Sequence, residues 1–177
     1  SYSLEEVQDA IARVIENANN KLIGLQNQFD NTKAKVKELT NSLAKDAKTS
    51  TTGLPTDFNK YINSTGTGFK GGSVKGKQEV IQQLKEQFQL TPTEVQSLVD
   101  SNFNQIKNAF QQWAQHPNKL IPDNIFSAAI ARLKNQANDF KTSIDDTKTQ
   151  IGELKQLESN VDVTFNTETA QAKLKEL

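Results

Sequence analysis

Apolar residues in the first quarter of the chain recur in steps of three and four. Leu4, Val7, Ile11, Val14, Ala18, Leu22, Leu25 and Phe29 lead through Thr32 to Val36, Leu39 and Leu43. A strand alternates its faces every second residue, so such a series belongs to a helix. Its mean step lies close to the 3.5 of a coiled-coil seam, which presents a narrow apolar stripe to another helix. Ser3-Leu4-Glu5-Glu6 opens it as a capping box, with Glu5 and Glu6 on the positive end of the helix dipole. The seam predicts one helix of about 44 residues, roughly 65 Å long. Asn19, Asn20 and Gly24 lie near its one irregular step, between Ala18 and Leu22. The phase survives that step, so the helix is read as continuous.

Helical spacing returns at residues 77–89 with Val80, Ile81, Leu84 and Phe88. Thr91-Pro92-Thr93-Glu94 then marks a fresh start: Thr91 as N-cap, Pro92 at the first helical position, Glu94 closing the box. The helix that follows presents Val95, Leu98, Val99, Phe103, Ile106, Phe110 and Trp113, and ends at His116-Pro117. After Leu120-Ile121-Pro122, Asp123 is the expected cap of another long helix. Its seam runs Phe126, Ala129/Ile130, Leu133, Ala137, Phe140, Ile144, Thr147, Ile151, Leu154 and Val161. Val161-Asp162-Val163-Thr164-Phe165 alternates and reads as extended or loop. A short helix fits 167–177.

These lengths match. The predicted fold is all-α: an elongated antiparallel bundle of three long helices, one of them open to a break at Leu90-Thr91-Pro92, with short helices appended. One helical-bundle domain spanning 1–177 accommodates the 177 residues, with a Gly/Thr-rich connection at about 48–76. Within that connection Thr56 can cap a short helix through Ile62.

Composition removes whole classes of chemistry. Lys+Arg and Asp+Glu number 21 each, and there is no Cys, no Met and one His. That excludes thiol nucleophiles, disulfide frameworks and thiolate metal sites. Zero net charge with two arginines, Arg13 and Arg132, argues against a nucleic-acid footprint. No apolar run approaches the ~18 residues of a membrane span. His116 stands alone, where catalysis or metal binding needs partners, and reads as a helix-terminal residue. Glu5/Glu6 and Asp145/Asp146 are neighbours on a helix and do not face each other. Thr32 and Thr147 sit in seams, and Asn102 lies beside one. Such residues either set register or are tolerated at a solvated bundle end.

The glycine-rich stretch matches two phosphate-binding patterns in letters only. Residues 66–71 read G-x-G-x-x-G, but the preceding Tyr61-Ile62-Asn63-Ser64-Thr65 is too polar and short for the buried strand that motif needs. Residues 71–77 read G-x-x-x-x-G-K, but Gln78 stands where the magnesium-binding hydroxyl belongs. Asn63-Ser64-Thr65 is a glycosylation triplet of the kind that chance supplies in so Asn- and Thr-rich a chain.

No catalytic, cofactor-binding or metal-binding residues are therefore expected, and no cofactor. The sequence points instead to a non-enzymatic helical-bundle protein acting through protein–protein or surface interaction. A start without Met, at Ser1-Tyr2-Ser3, fits a trimmed or exported chain, hence a secreted or cell-surface setting. The alternative is a carrier of lipid or another apolar ligand built like an exchangeable apolipoprotein, which would need wider apolar faces than these seams offer. The expected partner is a protein or an extracellular surface, with lipid second and nucleic acid excluded. The candidate interaction loop comprises Phe58, Tyr61, Phe69, Lys70, Lys75 and Lys77. Its aromatics either pin the connection to the bundle, the preferred reading, or serve as anchors for a partner. The 66–76 stretch itself is read as a passive tether.

Overall fold

The computed structural model describes residues 2–72, 74–161 and 167–176. Among them the fold is all-α, in the order α1 Leu4–Glu38, a π turn Leu39–Leu43, α2 Ala44–Thr49, 3-10 turns at Thr56–Tyr61 and Lys70–Gly72, α3 Val74–Phe88, α4 Pro92–Val99, α5 Phe103–Gln115, α6 Ile125–Asn160 and α7 Thr167–Glu176. The only extended pairing among the described residues is an isolated antiparallel bridge between Ile62 and Phe69. Ser73 and the 162–166 part of the alternating segment lie outside the described residues, as do Ser1 and Leu177.

The first seam is one continuous helical path from Leu4 to Thr49. Ser3 Oγ accepts from the Glu6 amide at 3.1 Å, as the capping signal requires. No break occurs at Asn19, Asn20 or Gly24. The path changes pitch at the π turn instead, where the Ala44 amide donates to the Leu39 carbonyl five residues back. The extra residue carries the buried face from Leu39 to Ala44 and Ala47, and leaves Leu43 only half-buried.

The chain divides into two compact units, and α1 and α6 contribute to both. The first unit is Ser1–Asn31 with Ala137–Leu177. Here the start of α1 lies against the end of α6: Val7, Ile11 and Ile15 form one cluster with Leu154, Leu157 and Val161. Gln8 Nε2 reaches the Val161 carbonyl at 3.4 Å. The two segments are therefore antiparallel. Thr147, a polar residue in this seam, is buried because its hydroxyl donates back to the Ser143 carbonyl at 2.7 Å.

The second unit, Thr32–Gln136, holds the larger core. Phe88, Phe110, Trp113 and Phe126 meet there, edge to face except for the tilted Phe88–Phe126 pair, with centroids 5.0–5.9 Å apart. The stretch read as one of the long helices breaks at Leu90-Thr91-Pro92 as anticipated, and breaks again at residues 100–102. Asn102 is the reason: it is an N-cap, whose Oδ1 accepts from the Gln105 amide while Gln105 Oε1 accepts from the Asn102 amide. The three pieces fold back on one another. Lys77 near the start of α3 lies beside Val99 and Ser101, while Phe88 at its end packs on Phe110 and Trp113. So α4 doubles back along α3, and α5 runs forward again.

The cap of α6 also differs from expectation by one residue. Asp123 adopts a left-handed φ of 60° and precedes the cap. Asn124 supplies it: Oδ1 accepts from the amides of Phe126 and Ser127, and Nδ2 donates to the Ala109 carbonyl at 2.8 Å. An amide side chain offers an acceptor for the cap and a donor for the neighbouring helix, whereas an ionised carboxylate such as that of Asp123 only accepts.

Candidate functional site

The residues singled out as an interaction loop separate into two groups. Phe58 and Phe69 are buried in the core of the second unit, together with Leu54 and Ile62 of the same connection. The Phe58 ring meets Phe110 and the Phe69 ring meets Phe103, both edge to face. Phe69 is 7% exposed, so the tether reading of 66–76 is overturned and the aromatics are pins. Tyr61 is half-buried. Lys60, Lys70 and Lys75 are exposed, and Lys77 is half-buried.

Local hydrogen bonds give the connection a defined path between these pins. Ser50 Oγ and Thr52 Oγ1 stand 3.0 Å apart and accept from the Thr52 and Leu54 amides respectively. Gly53 turns at φ 75° with the Gln111 side chain where a Cβ would stand. At the tip, Asn63 donates its amide to the Gly68 carbonyl at 2.8 Å, and its Oδ1 accepts from Thr65 Oγ1 and the Thr67 amide. The Asn63 side chain thus closes the tip on itself.

Neither glycine motif is built as a phosphate cradle. No strand precedes 66–71, and the lysine of the second pattern is already engaged. Lys77 Nζ donates to the Val99 carbonyl at 2.7 Å and to the Ser101 carbonyl, satisfying carbonyls left open at the end of α4. Gly76 is glycine for a packing reason: a Cβ there would stand 2.8 Å from the Tyr61 carbonyl oxygen and 3.1 Å from the Lys70 amide nitrogen. This close approach brings the neighbourhoods of Lys60, Lys70 and Lys75 to the start of α3. Lys60 Nζ itself lies 5.0 Å from the centroid of the Tyr61 ring.

Sequence reasoning passed over Lys60, and over two exposed apolar side chains at the same end of α3, Val74 and Val99. The signal for Lys60 was present: between Asp57 and Glu79 the chain has four lysines and no carboxylate. Exposure of the valines had no such signal: Val99 sits within a helical apolar pattern, and Val74 lies in the glycine-rich connection.

His116 is exposed and ends α5, its amide donating to the Trp113 carbonyl. Among the described residues no group of three His, Asp or Glu side chains is placed to hold a metal ion. No helix among them is long and apolar enough to cross a membrane. In the first unit a groove of about 460 Å³ runs between the start of α1 and α7, over Val7, Ala10 and Leu174, with Glu6, Asp9, Arg13 and Lys175 at its rim.

A bidentate ion pair between α4 and α6 serves the fold. Glu94 takes two hydrogen bonds of 2.7 Å from the Arg132 guanidinium, and a third of 2.9 Å from the Thr91 amide. Burial pushes the Glu94 carboxyl upward, but the Arg132 and Thr91 hydrogen bonds outweigh it and hold the group below its ordinary value. Comparison of the chain with known protein families, curated proteins and solved structures gave no match.

Proposed function

We propose that this is a non-enzymatic protein that acts by docking a preformed surface onto a partner, and that the docking surface is the lysine-bearing end of α3. The observation that carries the reading is the burial of Phe58 and Phe69 beneath exposed Lys60, Lys70 and Lys75. A glycine-rich connection of this length would ordinarily be mobile and would lose entropy on binding. Anchored on two phenyl rings and closed by Gly76 against Tyr61 and Lys70, it holds its charges in place beforehand. Several other polar side chains support helix ends: Lys77 on α4, Glu94 with Arg132, Asn102 on α5 and Asn124 on α6.

Acetylation footprinting tests the reading. The full chain is labelled in buffer and in soluble and membrane fractions of its source cells. Lys60, Lys70 and Lys75 are expected to be protected in one of the fractions relative to exposed Lys155. Labelling of all four that never changes would refute it.

A further inference from the structure

We infer that the partner is a membrane surface rich in anionic lipid, an inference that rests on the docking reading above. Four lysines between Asp57 and Glu79 are drawn to one end of α3 by the contact of Gly76 with Tyr61 and Lys70. Lys60 precedes Tyr61 in the chain, and Lys75 and Lys77 flank Gly76. Lys77 serves the end of α4, so Lys60, Lys70 and Lys75 are the exposed cations. The acidic side chains of this region are few. Asp57 and Glu79 bound the stretch, and Asp100, between the two carbonyls that hold Lys77, accepts from Gln96 Nε2. Counting Lys77, the four lysines outnumber these three carboxylates by one, a small positive excess in a chain whose net charge is zero.

A second feature separates a bilayer from other polyanions. Val74 is 67% exposed and Val99 is 47% exposed. Both stand at this same end: Val74 opens α3 one turn before Lys77, and the Val99 carbonyl receives Lys77. Lysines attract anionic headgroups, while apolar side chains beside them gain by entering the headgroup–acyl boundary. A soluble polyanion offers the valines nothing. A nucleic acid would be expected to meet stacking aromatics or arginine forks. Here Phe58 and Phe69 are in the core, Arg132 holds Glu94, and Arg13 belongs to the other unit.

The test is co-sedimentation of the full chain with vesicles of phosphatidylcholine alone, or of phosphatidylcholine mixed with phosphatidylglycerol. Binding to the mixed vesicles only, weakening as salt rises, is the expected result. Lys60→Gln, Lys70→Gln and Lys75→Gln combined should lower it at least about tenfold. Val74→Ser with Val99→Ser should lower it several-fold while leaving its salt dependence intact. All these side chains are solvent-facing, and the variants should keep the parent melting temperature. Absence of binding to the mixed vesicles, equal binding to neutral ones, or a lysine variant that binds like the parent overturns the inference. So does equally tight binding to heparin that ignores the valine changes, which would make the site one for a soluble polymer. Footprint protection by the soluble fraction without vesicle binding removes the lipid surface and keeps the docking reading. Unchanged acetylation in every fraction removes both.

Discussion

Arg132, from the first turns of α6, grips Glu94, from the first turn of α4, through two parallel hydrogen bonds of 2.7 Å. Glu94 also closes the capping box of its own helix by accepting from the Thr91 amide. One carboxylate thus fixes where α4 starts and which face of α6 lies beside it. Arg132 further extends to the Gln89 carbonyl, 3.4 Å away in the turn between α3 and α4.

Arg132→Leu should cost about 1–2 kcal/mol of stability. The figure stays below that for a fully buried pair because the arginine side chain is 41% exposed. The pH dependence follows from the lowered Glu94 value. A carboxyl held low in the folded state stabilises fully above its ordinary value of 4.5 and loses that contribution as pH falls through the lowered one. Melting temperatures of the parent and Glu94→Gln should therefore differ at neutral pH and converge in acid. A gap that stays constant into acid would show that the charge on Glu94 contributes nothing.

Replacing residues 66–72 by a neutral Gly/Ser linker of equal length should lower the melting temperature by several degrees, because it removes Phe69. Phe69→Ala alone should cost about 2–4 kcal/mol, since the ring leaves a cavity against Phe103. Thermal denaturation followed by circular dichroism measures both. Melting at the parent temperature would restore the passive tether.

Gly76→Ala and Gly24→Ala should act in opposite directions. The first puts a Cβ against backbone atoms of Tyr61 and Lys70, which cannot swing aside, and should cost about 1–3 kcal/mol. The second meets nothing within 4 Å in the middle of α1 and should stabilise by up to about 1 kcal/mol. Chemical denaturation of the two variants checks the sign of each. A neutral Gly76→Ala would mean that α3 and the Lys70 turn are not in contact.

Asn124→Ala should cost about 2–3 kcal/mol, through loss of a helix cap and of the bond to the Ala109 carbonyl. Asn124→Asp keeps the capping oxygen but turns a carboxylate toward that carbonyl, and should be no better. Asp123→Gly, at a left-handed φ, should be neutral or stabilising. Equilibrium unfolding that ranked Asp123→Gly as the worse change would return the cap to Asp123.

By itself the sequence determined the helical class, the two long helices and the starts at Ser3 and Thr91. Each of these depends on contacts three or four residues apart, so a local pattern records it fully. It also marked Phe110, Trp113 and Phe126 as core, since their spacing admits no other face. What only the tertiary structure decided are matters of which distant atom fills a given space. The π turn at Leu39 shifts the seam by one residue to bury Ala44 and Ala47. Asn124 outcompetes Asp123 as a cap because Ala109 offers it a second partner. Asn102 reads as a residue beside a seam until α4 is seen to end there. Phe69 looks like a loop residue because its partner, Phe103, lies 34 positions along the chain. The stretches that carry Lys60, Lys70 and Lys75 meet only because Gly76 lets two lengths of backbone touch, a closeness set by the missing Cβ and written in no local period.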